Sequence, residues 1–397
     1  MSDALANDKT HLSEVSRSGA TTVAGGTIRS TVLPRVEWEG PHPRVKPSER
    51  HRFEELGLLG EGGMGEVVLA KDHDIERNVA LKRLPENCDL GRVLRFVEEI
   101  RTVGQLEHPN IVPVHDVGVD SSGRYYFVMK HLRGETLESI IERLKAGDDA
   151  AHARFTMPVR IQIVLSVLNA LAYAHQQGFI HRDLKPANIM IGPYGEVTVM
   201  DWGLAKRIRT PEKSEIPVIP SSARTVLQTQ VGAVMGTPLY MSPEQARGEV
   251  DKLDERSDLY ALGVVFHEFL HHEHYLEDRT ELKAVLEGVQ TVQPPIHVAT
   301  LKAARYQVPA ELDWFVARAT RKNVNERFQS VTEMTDGLQR IIRGECRVQC
   351  QRTLVKRVVG EAGKFADQRP MATIVATTVA VALFVAAIVN LAMTLLR

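Results

Sequence analysis

Between Phe53 and His131 the apolar residues fall in short runs and alternations that suit strands: Phe53 to Leu59, Glu66 to Lys71, Asn78 to Leu84 and Tyr125 to His131. Gly and Asp clusters separate them, as strand boundaries require. One stretch inside this region changes period. From Gly91 to Leu106, the residues Val93, Phe96, Val97, Ile100 and Val103 recur at helical spacing until His108-Pro109-Asn110 breaks the pattern. Beyond about residue 135 helical periods take over, and Pro158 to Gln177 places Ile161, Val164, Leu165, Leu168, Leu171 and Ala172 on one face. Short strands return at Ile189 to Ile191 and Val197 to Met200 around a Pro193-Tyr194-Gly195 turn. Helices resume from Ser257 to His271 and continue to about Arg343. The pattern predicts a β-rich region followed by a mainly helical one, with no internal repeat.

The flanks read differently. Residues 1–50 are rich in Ser, Thr, Gly, Pro and charge without a sustained period, which predicts a disordered tail. A polar stretch from Lys206 to Gln230 likewise predicts a flexible loop. The run from Met371 to Leu396 is apolar apart from Thr and Asn390. At 1.5 Å per residue it reaches ~37 Å, enough to cross a ~30 Å hydrocarbon core with some tilt, so 371–396 is expected to be a transmembrane helix. The basic 344–370 segment before it contains Arg347, Arg352, Lys356, Arg357, Lys364 and Arg369, and only Arg397 follows the span. The positive-inside tendency therefore predicts a cytoplasmic body on the inner face of a cell membrane. The basic segment could rest on anionic lipid or serve only as a topogenic flank.

Composition narrows the classes. With 397 residues, 43% hydrophobic and 25% charged, the chain can bury a large core in one bilobal or two ordinary domains. The formal net charge of -1, without a basic stripe carrying aromatics, argues against nucleic acid as a partner. The three cysteines, Cys88, Cys346 and Cys350, have neither disulfide-framework nor zinc spacing and suit a reducing compartment.

Three constellations carry chemistry. The first is Gly60-Glu61-Gly62-Gly63-Met64-Gly65-Glu66-Val67, placed between two expected strands. Its glycines let backbone N–H groups approach phosphates where a side chain would collide. A strand rather than a helix follows, which favours phosphate cover over a dinucleotide site. The second is Val79-Ala80-Leu81-Lys82, with Glu99 on the following helix as the expected ion-pair partner and Glu98 as its less well registered neighbour. An isolated strand lysine is nearly always solvated, so Lys82 gains meaning only from this context. The third is His181-Arg182-Asp183-Leu184-Lys185-Pro186-Ala187-Asn188, followed by Asp201. An acceptor for a hydroxyl proton, a cation and two oxygen ligands for Mg²⁺ are what phosphoryl transfer requires. Any one of these acids could simply cap a turn.

In order and kind, these motifs resemble the eukaryotic-like (Hanks-type) serine/threonine protein kinases of bacteria, over about Phe53 to Arg343. The resemblance implies an α+β, bilobal protein-kinase fold over 53–343, with a β-rich N-lobe and a helical C-lobe, using ATP and Mg²⁺. It implies that Asp183 is the catalytic base, that Lys185 assists it, that Lys82 with Glu99 anchors ATP, and that Asn188 and Asp201 bind the metal. Leu59 and Val67 would sandwich the adenine, with Ala80 also in the nucleotide site. Met129 looks like the gatekeeper, and the backbone from Lys130 to Leu132 looks like the hinge that reads the adenine. Lys185 with Thr237 resembles the serine/threonine type, so the expected partners are protein hydroxyls, including the chain's own, and a homodimer is left open. Asp258 is expected to tie the catalytic loop from below and Arg327 to pair with Glu244, although Asn323 to Glu326 lack the family's usual Pro. Trp202 stands where Phe is usual and Ser242 where Ala is usual; the larger indole needs a larger pocket.

Weaker signals complete the reading. Arg182 could bind a phosphorylated residue of the long loop, with Thr225 and Thr229 as preferred sites of activating autophosphorylation. His267, His271, His272 and His274 read as solvated histidines at a helix end rather than a metal site, because no carboxylate or cysteine completes ligand spacing. Two rival readings remain for comparison. A silent nucleotide-binding scaffold would have lost Lys82, Asp183, Asn188 or Asp201, and a small-molecule phosphotransferase would lack the protein-substrate platform that Gly236 to Glu244 resembles.

Overall fold

A computed structural model describes residues 35–40, 42–46, 52–62, 65–86, 88–120, 122–207, 238–296, 308–345 and 368–395, together with 357, 358, 360 and 363. Strands β1 (Arg35–Glu39) and β2 (His42–Lys46) pair as an antiparallel hairpin. They lie within the segment read as lacking a period, and Trp38 there is exposed. Five further strands form one antiparallel sheet in the order β3, β4, β5, β7, β6: β3 is Phe53–Gly62, β4 Gly65–Asp72, β5 Arg77–Arg83, β6 Val114–Val119 and β7 Tyr125–Lys130.

The register of this sheet decides which side chains face the site. Val68 pairs with Leu81 and Ala70 with Val79, and these join Val128 in one apolar cluster on a single face. Because side chains alternate, the intervening residues point the other way. Lys82 therefore shares the opposite face with its partners Val67 and Phe127, and Ala80 shares it with Met129. Helix α1 (Leu90–Val103) packs on that face through Phe96, which joins Leu84 and Phe127 in a second cluster. Asp89 caps the helix by accepting the Arg92 N–H. Glu99 lies one turn beyond Phe96 on the same buried stripe, so packing of α1 delivers its carboxylate to Lys82.

The helical region contains α2 (Leu137–Lys145), α3 (Asp149–Arg154) and α4 (Met157–Gln176), then helices over Glu255–His271, Leu282–Thr291, Ala310–Ala319 and Val331–Ile342. Helix α4 is long and apolar enough to cross a membrane by length and composition. Its Val167, Leu168, Ala170 and Leu171 instead pack in the largest core cluster with Leu259, Leu262 and Phe266. A helix that is apolar on most sides belongs at the centre of a large core. The segment from His181 to Asp201 is framed by β8 (Glu135–Thr136), β9 (Phe179–Ile180), β10 (Ile189–Ile191), β11 (Val197–Val199) and β12 (Lys206–Arg207). Strand β10 lies between β11 and β8, and β12 pairs with β9. The C-terminal helix Pro370–Leu395 contains a candidate membrane span, Pro370–Ile388, none of which is buried.

The histidine cluster corrects the expectation of solvated rings. His267 and His274 are buried, His271 Nε2 lies 2.8 Å from Asp313 Oδ1, and His272 Nε2 accepts from Arg160 Nη1 at 2.8 Å. Burial, reinforced by the Arg160 charge, depresses the His272 pKa to about 4, and burial brings His274 to about 4. These are core histidines, and no group of metal-ligating side chains gathers among the described residues.

Gly134, between β7 and β8, has a φ of +138°, and a Cβ there would collide with the Ile191 carbonyl. Gly134→Ala is expected to lower stability by about 1–3 kcal/mol, read as a lower urea midpoint at unchanged slope.

Candidate active site

The site lies where the sheet face bearing Lys82 meets the loop between β9 and β10. Lys82 Nζ donates to Glu99 Oε1 at 2.6 Å and lies 3.6 Å from Asp201 Oδ1. Burial works against the Lys82 ammonium, but Glu99 and Asp201 more than offset it and raise its pKa above the usual lysine value. Glu98, the alternative partner, is instead on the exposed side near Arg101. Glu99 Oε2 is buried with no hydrogen-bond partner among the described residues.

The loop between β9 and β10 is held from beneath by one buried carboxylate. Asp258 Oδ2 accepts the His181 N–H and Oδ1 the Arg182 N–H, each at 2.9 Å, and His175 Nε2 lies 2.8 Å from Oδ2. Burial alone would raise its pKa; His175 and the loop N–H groups hold it below the ordinary carboxylate value. Arg182 has a φ of 69° and Asp201 a φ of 57°, both unusual for residues with side chains. Such conformations persist where surrounding bonds over-determine them. His181 Nε2 donates to the Met200 carbonyl at 3.0 Å, so the loop is also tied to the segment entering Asp201.

Within this frame, Lys185 Nζ donates to Asp183 Oδ2 at 2.9 Å, and Asn188 Nδ2 donates to the Asp183 carbonyl at 2.9 Å. The second bond commits the amide nitrogen of Asn188 and leaves its oxygen as the donor atom for a cation. Asp201 keeps a partly exposed carboxylate, with 43% of its side chain accessible. A carboxylate and an amide oxygen, completed by phosphate and water, form a donor set of the kind Mg²⁺ accepts. Trp202 is buried and its ring centroid lies 4.6 Å from that of His181, while its Nε1 finds no partner among the described residues.

The strand pairing brings Gly60 opposite Val67, Glu61 opposite Glu66 and Gly62 opposite Gly65. Gly65 has a φ of +132°, and a Cβ on it would strike the Arg83 backbone, so this end of the hairpin requires glycine. Gly63 and Met64 lie outside the described residues. Leu59 is exposed, Ala80 buried, and Met129, Lys130 and Leu132 follow along β7 into the connection to β8. Thr225, Thr229 and Thr237 also lie outside the described residues. Arg182 Nε is engaged by the Leu204 carbonyl.

Two links had not been singled out from sequence. Gln245 closes a capping box with Ser242 and also donates from Nε2 to the Arg182 carbonyl at 2.8 Å, joining the Pro243-Glu244 segment to the loop between β9 and β10. The Ser-x-x-Gln spacing is the signal that could have found the cap. Ser257 Oγ donates to Glu244 Oε1 at 2.8 Å, beside the expected pair in which Arg327 reaches Glu244 at 2.8 and 2.7 Å.

A bilobal arrangement with a lysine–glutamate pair across its small lobe and an acid, cation and amide on a loop below it defines a protein kinase class of fold. Residues 53–337 match the protein kinase domain family, and the chain belongs to it. Its curated relatives include the bacterial serine/threonine-protein kinases PknD of Protochlamydia amoebophila, 32% identical over 77% of this chain and 31% of the relative, and PknB of Mycobacterium tuberculosis, 37% identical over 75% and 44%. PknD of Chlamydia trachomatis is 31% identical over 77% of this chain and 33% of its own length. The chain thus spans less than half the length of these relatives. They bear out the resemblance to bacterial Hanks-type serine/threonine kinases.

Burial would raise the Glu244 carboxyl, but the Arg327 guanidinium holds its pKa at about 2, below the reference 4.5. A folded-state pKa that is depressed contributes stability above the unfolded value and loses it as pH falls through the folded one. Glu244→Gln, which leaves Arg327 buried without its anion, is expected to cost about 3–5 kcal/mol at pH 7. It should also flatten the loss of stability between pH 4.5 and about 2, measured by urea titrations across that window.

Proposed function

We propose that the chain transfers the γ-phosphate of ATP to Ser or Thr hydroxyls of proteins, with Mg²⁺, while tethered to a cell membrane by its C-terminal helix. The observation that carries this reading is the contact of Lys82 with both Glu99 and Asp201, together with Asp183 and Asn188 bonded to each other in the loop held by Asp258. A scaffold that only binds partners would have no need of that full set.

In this reading the hairpin glycines admit the phosphates to backbone N–H groups, and Lys82 holds the α- and β-phosphates while Glu99 keeps its ammonium in place. Asn188 and Asp201 would hold Mg²⁺, which would supply positive charge against the phosphates. Asp183 orients the protein hydroxyl and accepts its proton, and Lys185, 2.9 Å from Asp183, supplies a positive charge beside the transferring group. Leu59, Val67 and Ala80 would enclose the adenine, with the backbone from Lys130 to Leu132 giving its hydrogen bonds. Autophosphorylation of the stretch between Gly203 and Ser242, with Thr225 and Thr229 as preferred sites, is the proposed means of activation. The named relatives are serine/threonine-protein kinases, which supports the choice of hydroxyl.

Asp183→Asn, assayed with labelled ATP, Mg²⁺ and a generic protein substrate, is expected to lower phosphate incorporation by about 10²- to 10⁴-fold. Equal incorporation by both proteins would overturn the mechanism. For the anchor, a chain ending at residue 369 is expected to leave the membrane pellet on alkaline carbonate washing while the full chain stays in it. Retention of both would remove Pro370–Leu395 as the tether.

A further inference from the structure

Gln245 is not among the groups that hold nucleotide, metal or hydroxyl in the proposed reaction, yet its side-chain amide joins two parts of the site. Its Oε1 accepts from the Ser242 N–H at 3.0 Å and from Ser242 Oγ at 3.1 Å, while the Gln245 N–H reaches that same Oγ at 3.4 Å. Its Nε2 donates to the Arg182 carbonyl at 2.8 Å. The neighbours fix which end of the amide is which, because a reversed amide would set a donor against the Ser242 N–H and an acceptor against the Arg182 carbonyl.

Both ends of this link are anchored. Ser242 is fully buried, and the turn after it is tied to the Glu255–His271 helix because Glu244 accepts from Ser257 Oγ at 2.8 Å and from Arg327 at 2.8 and 2.7 Å. At the other end Arg182 has a φ of 69°, and its own N–H is committed to Asp258 Oδ1 at 2.9 Å. The carbonyl that Gln245 grips belongs to the peptide unit whose nitrogen is that of Asp183. That N–H has a longer bond, 3.3 Å to His181 Nδ1. Because the peptide unit is planar, rotating it would carry the carbonyl away from Gln245 and the Asp183 N–H away from His181 together. The bond from Gln245 is the shorter of these two holds on the plane that leads into Asp183.

We propose that Gln245 is a positioning residue for phosphoryl transfer, its amide fixing the peptide plane of Asp183 relative to the segment ending at Ser242. That segment is part of the Gly236 to Glu244 stretch that resembles a protein-substrate platform. The inference rests on the reading of Asp183 as the group that receives the hydroxyl proton. The acid and the incoming hydroxyl must meet within hydrogen-bond reach, and Gln245 bonds both the loop that carries the first and the segment that would present the second. An amide suits this task because it places an acceptor towards Ser242 and a donor towards Arg182. A carboxylate could still accept from Ser242, as in the Ser-x-x-Glu form of the capping box, but it would set an oxygen against the Arg182 carbonyl. A thioether could form neither link well.

The test compares Gln245→Glu and Gln245→Met with the wild type, as full chains in detergent micelles with labelled ATP, Mg²⁺ and a generic protein substrate. Both variants should lower kcat by about 10- to 10²-fold while KM for ATP stays within about twofold, because the residues that would contact the nucleotide are unchanged. Urea titration should find Gln245→Glu as stable as the wild type, since its cap is kept, so that its lower kcat does not reflect less folded protein. Wild-type kcat in either variant would overturn the proposal; a fall in Gln245→Glu alone would mark the added charge as its cause. Hydrogen exchange supplies a readout that needs no phosphoryl transfer: the amides from His181 to Leu184 should exchange roughly tenfold faster in both variants. Unchanged exchange there would overturn the role of Gln245 even if kcat fell. A wild-type chain that incorporates no phosphate would instead remove the kinase reading, and the exchange rates alone would then decide whether Gln245 holds the loop.

Discussion

Asp258, a carboxylate almost wholly withdrawn from water, sets the shape of the loop around which the site is arranged. A buried charge of this kind is tolerable only if its lone pairs are filled, and His175 with the N–H groups of His181 and Arg182 fill them. The same bonds help hold Arg182 at a positive φ that an unconstrained chain would leave. Gln245 then grips the Arg182 carbonyl from the other side. The positions of Asp183, Lys185 and Asn188 follow from a backbone fixed at these points, rather than from attraction among the three.

A second constraint comes from pairing in the small sheet. Had β5 slipped by one residue, Lys82 would turn towards the apolar cluster in place of Val79 and Leu81, and Glu99 would have no cation to meet. The buried Arg327–Glu244 pair plays a different part. Ion pairs in a core add little net stability against an apolar replacement, but removing one partner is costly, so they specify an arrangement more than they strengthen it. Here the arrangement is the placement of the Pro243-Glu244 turn against the helix that carries Asp258.

Much of this was legible because the informative residues sit in local patterns. Strands β3, β4, β5 and β7, helix α1 and the long helix α4 all emerge within a few residues of their expected limits. Glu99 was separable from Glu98 because only one of two adjacent helix positions can face the sheet. Strand β6 was missed for a physical reason: it is an edge strand whose Val117 and Val119 face outward, so its alternation does not mark a buried face. The hairpin of β1 and β2 has short polar strands with little to distinguish them from a tail. The histidines were misjudged because a sequence gives no burial, and a ring packed beside Arg160 or Asp313 looks the same in one dimension as a solvated one.

The indole of Trp202 gives the protein an optical property. Of its three tryptophans, Trp38 is open to solvent, while Trp202 is packed against His181 with its N–H facing no acceptor among the described residues. An indole in such surroundings emits at short wavelength, and its emission moves to the red when water reaches it. Because Trp202 follows Asp201 in the chain, a rearrangement of Asp201 that draws the indole from its pocket would register in the intrinsic fluorescence. Trp where Phe is usual thus puts a chromophore next to Asp201 in the chain.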